Sequence, residues 1–120
     1  METEVEQFRR ALALNGAEFG VELQSDHIEP LISYYELLLK WNPKLHLVAP
    51  CSPEEFAVRH ILESLTLLKH LAANVRVADV GTGAGLPIIP CLLVRNDLHG
   101  VLIESSQRKA AFLKEALRTL

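Results

Sequence analysis

Asp79-Val80-Gly81-Thr82-Gly83-Ala84-Gly85 directly follows the run Val75-Arg76-Val77-Ala78 and directly precedes an apolar stretch. The order is strand, tight glycine turn, helix start, the geometry in which an α/β sheet presents its ligand crevice. Glycines at alternate positions let the backbone take positive φ, or approach a ligand where a Cβ would collide. Asp79, at the end of the strand, is expected to face that crevice. Nineteen residues after Gly85, Glu104 ends a second apolar run, Gly100-Val101-Leu102-Ile103. Its carboxylate is placed to accept from a ribose diol, so a nucleoside-containing cofactor is the first expectation.

Spacing narrows the choice. A dinucleotide fingerprint requires Gly-x-Gly-x-x-Gly, and here the third glycine comes one residue early, so the close helix approach of a pyrophosphate turn is not specified. No Gly-Lys-Ser or Gly-Lys-Thr phosphate loop is present. Asp-x-Gly-x-Gly-x-Gly instead resembles the first motif of class I methyltransferases, which use S-adenosylmethionine. An acidic side chain beside the turn suits the positive methionyl end of that cofactor, and backbone N–H groups at the next helix start suit its carboxylate. An ordinary βα turn, using glycine for shape alone, is the competing reading.

Working outward, the 120 residues are 49% apolar and 22% charged, with a formal net charge of −3, as expected of one globular unit. No apolar run approaches the ~20 residues that span a bilayer. Met1-Glu2-Thr3-Glu4 lacks the basic and apolar blocks of a signal peptide. A cytoplasmic location without membrane attachment is therefore expected. Cys51 and Cys91 belong to no metal or redox pattern and read as reduced structural thiols; no metal site is expected. Residues 1–30 carry seven acidic and two basic side chains, residues 31–120 eight acidic and ten basic. That balance neither announces nor excludes nucleic-acid binding, whose signature is a clustered basic face.

Helical spacing of Val5, Phe8 and Leu12 predicts a first helix over 3–14, stopping near Asn15-Gly16. A second opens at Ser25-Asp26 and ends at Trp41-Asn42-Pro43, because proline cannot continue it. Ser52-Pro53-Glu54-Glu55 has the arrangement of a capping box, ahead of a stripe of Val58, Ile61, Leu62, Leu65 and Leu68. After Asn74 the pattern becomes strand 75–80, helix 86–94, strand 100–104 and helix 106–119, a βαβα unit with a parallel sheet. The expected architecture is α/β: a helical subdomain over 1–73, then the first part of a Rossmann-like sheet over 74–120.

Four separated stretches resemble one bacterial family. These are Tyr35 to Asn42, Arg59-His60-Ile61-Leu62-Glu63-Ser64, Asp79 to Pro90, and Glu104-Ser105 with Arg108-Lys109 and Phe112-Leu113. In order and spacing they are similar to the glucose-inhibited division protein B family, the 7-methylguanosine methyltransferases of 16S ribosomal RNA. The resemblance runs from about residue 31 to the last residue. It implies a class I fold, S-adenosylmethionine as cofactor, 16S rRNA or the small ribosomal subunit as partner, and methyl transfer to the seventh ring nitrogen of a guanine. It departs at Ile88, where the family usually has glycine, at Glu63 for aspartate, and at His46-Leu47-Val48 for Asn-Leu-Thr. Ile88 is expected to crowd the cofactor turn.

The resemblance places Asp79, Gly81, Thr82, Gly83, Gly85, Leu86, Glu104 and Ser105 at the cofactor, and Arg59, His60, Arg108 and Lys109 toward RNA. Arg108 and Lys109 fall in the first turn of a helix, where the macrodipole disfavours cations by ~0.3–1 kcal/mol, so an RNA phosphate is one candidate to offset them. Trp41 beside Tyr34 and Tyr35 reads as core, with base stacking the alternative. His27, His70 and His99 are assigned no role. The seventh nitrogen of guanine is already nucleophilic, so alignment with the sulfonium methyl is the main catalytic demand and no catalytic residue is assigned. The class I fold has more strands than the two read here. The chain is thus expected to be truncated, to lack activity alone, and to self-associate through edge pairing of strand 75–80 or by exchange of its last helix, with aggregation as the competing outcome. A nucleotide-dependent oxidoreductase and a non-enzymatic interaction module remain the alternatives.

Overall fold

The computed structural model describes residues 1–120. Helix α1 (Glu4–Asn15) starts at a reciprocal cap in which Thr3 Oγ1 accepts from Glu6 N at 3.1 Å and Glu6 accepts from Thr3 N at 2.8 Å. A short 3₁₀ turn, Gly16–Phe19, leads to α2 (Ser25–Leu45). The Pro43 expectation is corrected here, since α2 runs through Pro43 to Leu45. A proline in the last turn forfeits one intrahelical bond, to the carbonyl of Leu39, which lies on the exposed side. The real stop is His46, in the left-handed region at φ 52°, with Asn42 clamping Val48 through two hydrogen bonds of 3.0 and 3.1 Å.

A third helical segment, α3, covers 53–70. Ser52 caps it by accepting from Glu55 N at 3.0 Å, without the reciprocal Glu55 bond of a full capping box. Its middle, Phe56–Leu62, is wound as wide π turns and its end, Thr66–His70, as a 3₁₀ turn. Widening changes the buried stripe: Phe56 and Ala57 join Ile61 and Leu62, five residues on, while Val58 is only half-buried. Phe8 of α1, Tyr35 of α2 and Phe56 of α3 then pack ring on ring, with centroids 4.4 to 6.0 Å apart.

Strand β1 (Arg76–Val80), helix α4 (Ile88–Val94), strand β2 (His99–Ile103) and helix α5 (Gln107–Thr119) complete the chain as a parallel βαβα unit. Arg76 pairs with His99 and Val80 with Ile103. One buried cluster runs from Phe8 to Ala116 across residues 73 and 74, so the helices and the sheet share a core. Trp41 belongs to this joint, meeting Phe112 of α5 edge-on at 5.9 Å. No helix is long and apolar enough to cross a membrane.

Arg95 and Asp97 fasten the entry to β1. Arg95 donates to the carbonyls of Leu68, Leu71 and Ala72 at 3.1–3.2 Å and makes a two-point pair with Asp97, which also accepts from Asn74 N at 2.8 Å. Arg95 first, then the Asn74 N–H, holds the Asp97 carboxyl well below the ordinary carboxylate range. Its stabilisation is present above the unfolded pKa of about 3.9 and fades as pH falls through the lower folded value. Asp97→Asn is therefore expected to be less stable than wild type at pH 7, with the gap closing below about pH 4. Denaturant unfolding of both chains across that range checks this, and a gap independent of pH contradicts it.

The sheet has only two strands, and one face of it is bare. Ala78, Val80, Val101 and Ile103 point to that side, with Val80 76% exposed. An uncovered apolar face beside an unpaired strand edge invites pairing with another chain. The 120-residue polypeptide is expected to self-associate in light scattering; a monomer mass independent of concentration would contradict this.

Candidate cofactor site

β1 delivers the chain into a turn over Gly81–Pro87, and α4 begins only at Ile88, not at residue 86 as the sequence suggested. The turn is fixed from several directions. Gly81 N and Thr82 N donate to the carbonyl of Ile103 at 2.7 and 3.2 Å, tying it to the end of β2. Thr82, buried, donates its hydroxyl to Asp79 Oδ2 at 2.9 Å. Gly85 N donates to Thr82 O at 2.9 Å, and Gly85 O accepts from Ile89 N at 2.7 Å. α4 has seven residues and opens at Pro87 as its N-cap.

The glycines do different things. All three lie at positive φ, between 59° and 87°. A Cβ at Gly81 or Gly83 would meet open space, whereas one at Gly85 would lie 2.3 Å from Ile89 Cδ1 and 3.3 Å from Leu113 Cδ2. Gly85 therefore does provide the close packing of turn on helix that the short spacing appeared to leave out. Ile88 is corrected as well. It is 3% exposed, and its Cδ1 packs over Gly100 of β2, so it fills the core under the sheet and does not crowd the turn.

Glu104 spans the gap from the turn to α5. Its Oε1 accepts from Gly83 N at 2.8 Å and its Oε2 from Ser106 N at 2.9 Å. The Ser106 N–H first, then that of Gly83, holds its carboxyl below the ordinary range, with a smaller contribution from Lys109. The group is thus a carboxylate with lone pairs left for further donors. Asp79 accepts from the Thr82 hydroxyl and lines a small apolar cavity of about 110 Å³ with Leu67, Ile88, Cys91 and Leu98. Leu86 is half-buried and Ser105 exposed at the rim. Ser106, which sequence reading passed over, caps α5 by accepting from Lys109 N at 3.3 Å; a serine directly before a helical stripe was the available signal.

The four RNA candidates fall in two places. Arg108 and Lys109 stand at the start of α5, beside Glu104. Arg108 donates to the carbonyl of Lys44 at 3.0 Å, so the negative end of α2 provides an intramolecular partner for a cation at a helix start. Arg59 and His60 lie in the π turns of α3, which pack on α1. His60 rests 5.1 Å from the ring of Phe56, and burial, then the Arg59 charge, pushes its imidazole below the ordinary range. Cys91 is buried, and burial pushes its thiol up to about 11, which leaves it unreactive.

A parallel βαβα unit with a glycine-rich first turn and a carboxylate at the end of the second strand defines part of a Rossmann-like methyltransferase fold. The family profile described as rRNA small subunit methyltransferase G matches residues 27–120. The chain belongs to that family. It is 37% identical over 116 residues to the ribosomal RNA small subunit methyltransferase G of Geobacter sp. (strain M21), covering 97% of this chain and 54% of the relative. Proteins of the same name from Thermoanaerobacter sp. (strain X514) and Xanthomonas campestris pv. campestris (strain B100) are 38% and 42% identical, over 91% and 92% of this chain and 47% and 51% of theirs. The chain spans about half the length of the curated relatives it matches.

Proposed function

We propose that residues 74–120 carry the cofactor-binding half of a methyltransferase that moves a methyl group from S-adenosylmethionine to the seventh ring nitrogen of a guanine in small-subunit rRNA. Residues 1–73 form its helical buttress, and the protein works in the cytoplasm on 16S rRNA or the small subunit. The observation that carries this reading is the Glu104 carboxylate, held by Gly83 N–H and Ser106 N–H at the mouth of a turn whose Gly81 and Gly83 leave open space. That arrangement fits a ribose diol donating to the carboxylate while the rest of the nucleoside lies along the bare backbone of the turn. Leu86 and Ser105 complete the rim.

The cofactor supplies an electrophilic methyl on a positively charged sulfur. The chain's own residues bind and orient: Glu104 takes the ribose, the turn offers its backbone, and Arg108 and Lys109 beside Glu104 are suited to an RNA phosphate. The nucleophile is the lone pair of the guanine nitrogen, so rate enhancement comes chiefly from alignment. Labelled S-adenosylmethionine with small ribosomal subunits tests the reading. A protein of the relatives' length containing these residues is expected to label one guanine at its seventh nitrogen, while the 120 residues alone transfer nothing. Label on a ribose hydroxyl or another base atom would contradict the proposed chemistry.

A further inference from the structure

We propose that Tyr34 is a positioning residue for the cofactor turn: from α2 its hydroxyl locks the orientation of the Ala84–Gly85 peptide. The inference rests on the reading of that turn as the cofactor site. Tyr34 is fully buried, and its hydroxyl donates to Ala84 O at 2.6 Å, the one hydrogen bond that joins the α2 side chains to a residue fifty positions along the chain. The same peptide plane carries Gly85 N–H, which donates to Thr82 O at 2.9 Å. One peptide is therefore held at both ends, its oxygen by Tyr34 and its N–H by the turn.

Peptides next to glycine turn over most easily, because glycine accepts either sign of φ. Ala84 lies between Gly83 and Gly85, at φ 59° and 87°. Without the phenol, rotation of the Ala84–Gly85 plane would lose only the Thr82 bond, and the buried carbonyl would no longer be anchored. The cradle depends on that plane, because its Gly85 N–H holds Thr82 O, and the Thr82–Gly83 peptide that carries this oxygen also carries the Gly83 N–H that fixes Glu104. Burial raises the Tyr34 phenol well above its ordinary value, so it remains a donor wherever the protein is folded. The second link from α2, Lys44 O to Arg108, holds the start of α5 on the other side of Glu104. Helix α2 thus splints both supports of the carboxylate, and Tyr34 is the splint's contact with the turn.

Tyr34→Phe keeps the ring and removes only the donor. It is compared with Ile61→Val, a similar small loss from the buried stripe of α3. Amide hydrogen exchange is read at Gly83 and Gly85, and S-adenosylhomocysteine affinity by calorimetry. The expected result is exchange at least tenfold faster at Gly85 in Tyr34→Phe, with core helix amides matching Ile61→Val, and roughly tenfold weaker binding that Ile61→Val does not show. Turn amides that exchange alike in the two variants would overturn the proposal. So would a Tyr34→Phe chain that loses its whole fold, since the hydroxyl would then support the core and not the turn. If wild type fails to bind S-adenosylhomocysteine, the cofactor reading falls, and the exchange comparison alone still decides whether Tyr34 holds the peptide.

Discussion

Gly85→Ala is expected to destabilise the fold by about 3 kcal/mol, from two costs that add. A Cβ there would lie 2.3 and 2.7 Å from two atoms of Ile89, and overpacking of this kind costs about 1–3 kcal/mol. The residue also sits at φ +87°, where an alanine pays about 1–2 kcal/mol. Neighbouring Leu113 Cδ2, 3.3 Å away, limits how far Ile89 can retreat. Gly83→Ala is the internal control. Its Cβ meets open space, so it pays only the backbone cost, about 1–2 kcal/mol. Urea unfolding of the two variants checks the order. Equal losses would show that packing against α4 and α5 is not what Gly85 provides.

Glu104→Ala is expected to weaken S-adenosylhomocysteine binding about 10- to 100-fold, the range for losing hydrogen bonds to a charged group. The carboxylate does two things at once, accepting Gly83 N–H and Ser106 N–H and offering its remaining lone pairs outward. Alanine removes both. Glu104→Gln separates them, because an amide oxygen can still accept from one backbone N–H while the charge is gone. Calorimetry should rank wild type above Gln above Ala. Unchanged affinity in Glu104→Ala would place the ribose elsewhere.

The path of the sheet was legible in sequence because its signals are local. A run of β-branched residues, three glycines, a second apolar run and a helical stripe set β1, the turn, β2 and α5 to within about two residues. What was not legible depended on distance. Gly85 looked one residue out of place for a close approach, since Ile89 and Leu113 come near it only in three dimensions. Ile88 looked like an intrusion on the turn, and folding directs it beneath Gly100. Tyr34 enters the sequence analysis only as a neighbour of Trp41; nothing in its sequence neighbourhood shows that its hydroxyl meets Ala84. The helix ends misled for another reason. Proline at position 43 is a local stop signal, but Asn42 and His46 set the end of α2 one turn later.

Gly81–Gly85 and Glu104 are proposed to form a cradle for S-adenosylmethionine. Calorimetric titration of the 120-residue chain with S-adenosylhomocysteine, beside Gly83→Asp and beside reduced nicotinamide adenine dinucleotide, tests it most directly. Aspartate tolerates the left-handed backbone of residue 83 and its Cβ finds space, so the variant acts mainly by setting a second carboxylate against Glu104. Saturable binding to wild type at one site is expected, with a loss of at least tenfold in Gly83→Asp and no heat with the dinucleotide. Binding of the dinucleotide in place of S-adenosylhomocysteine, or equal affinity of wild type and Gly83→Asp, would contradict it.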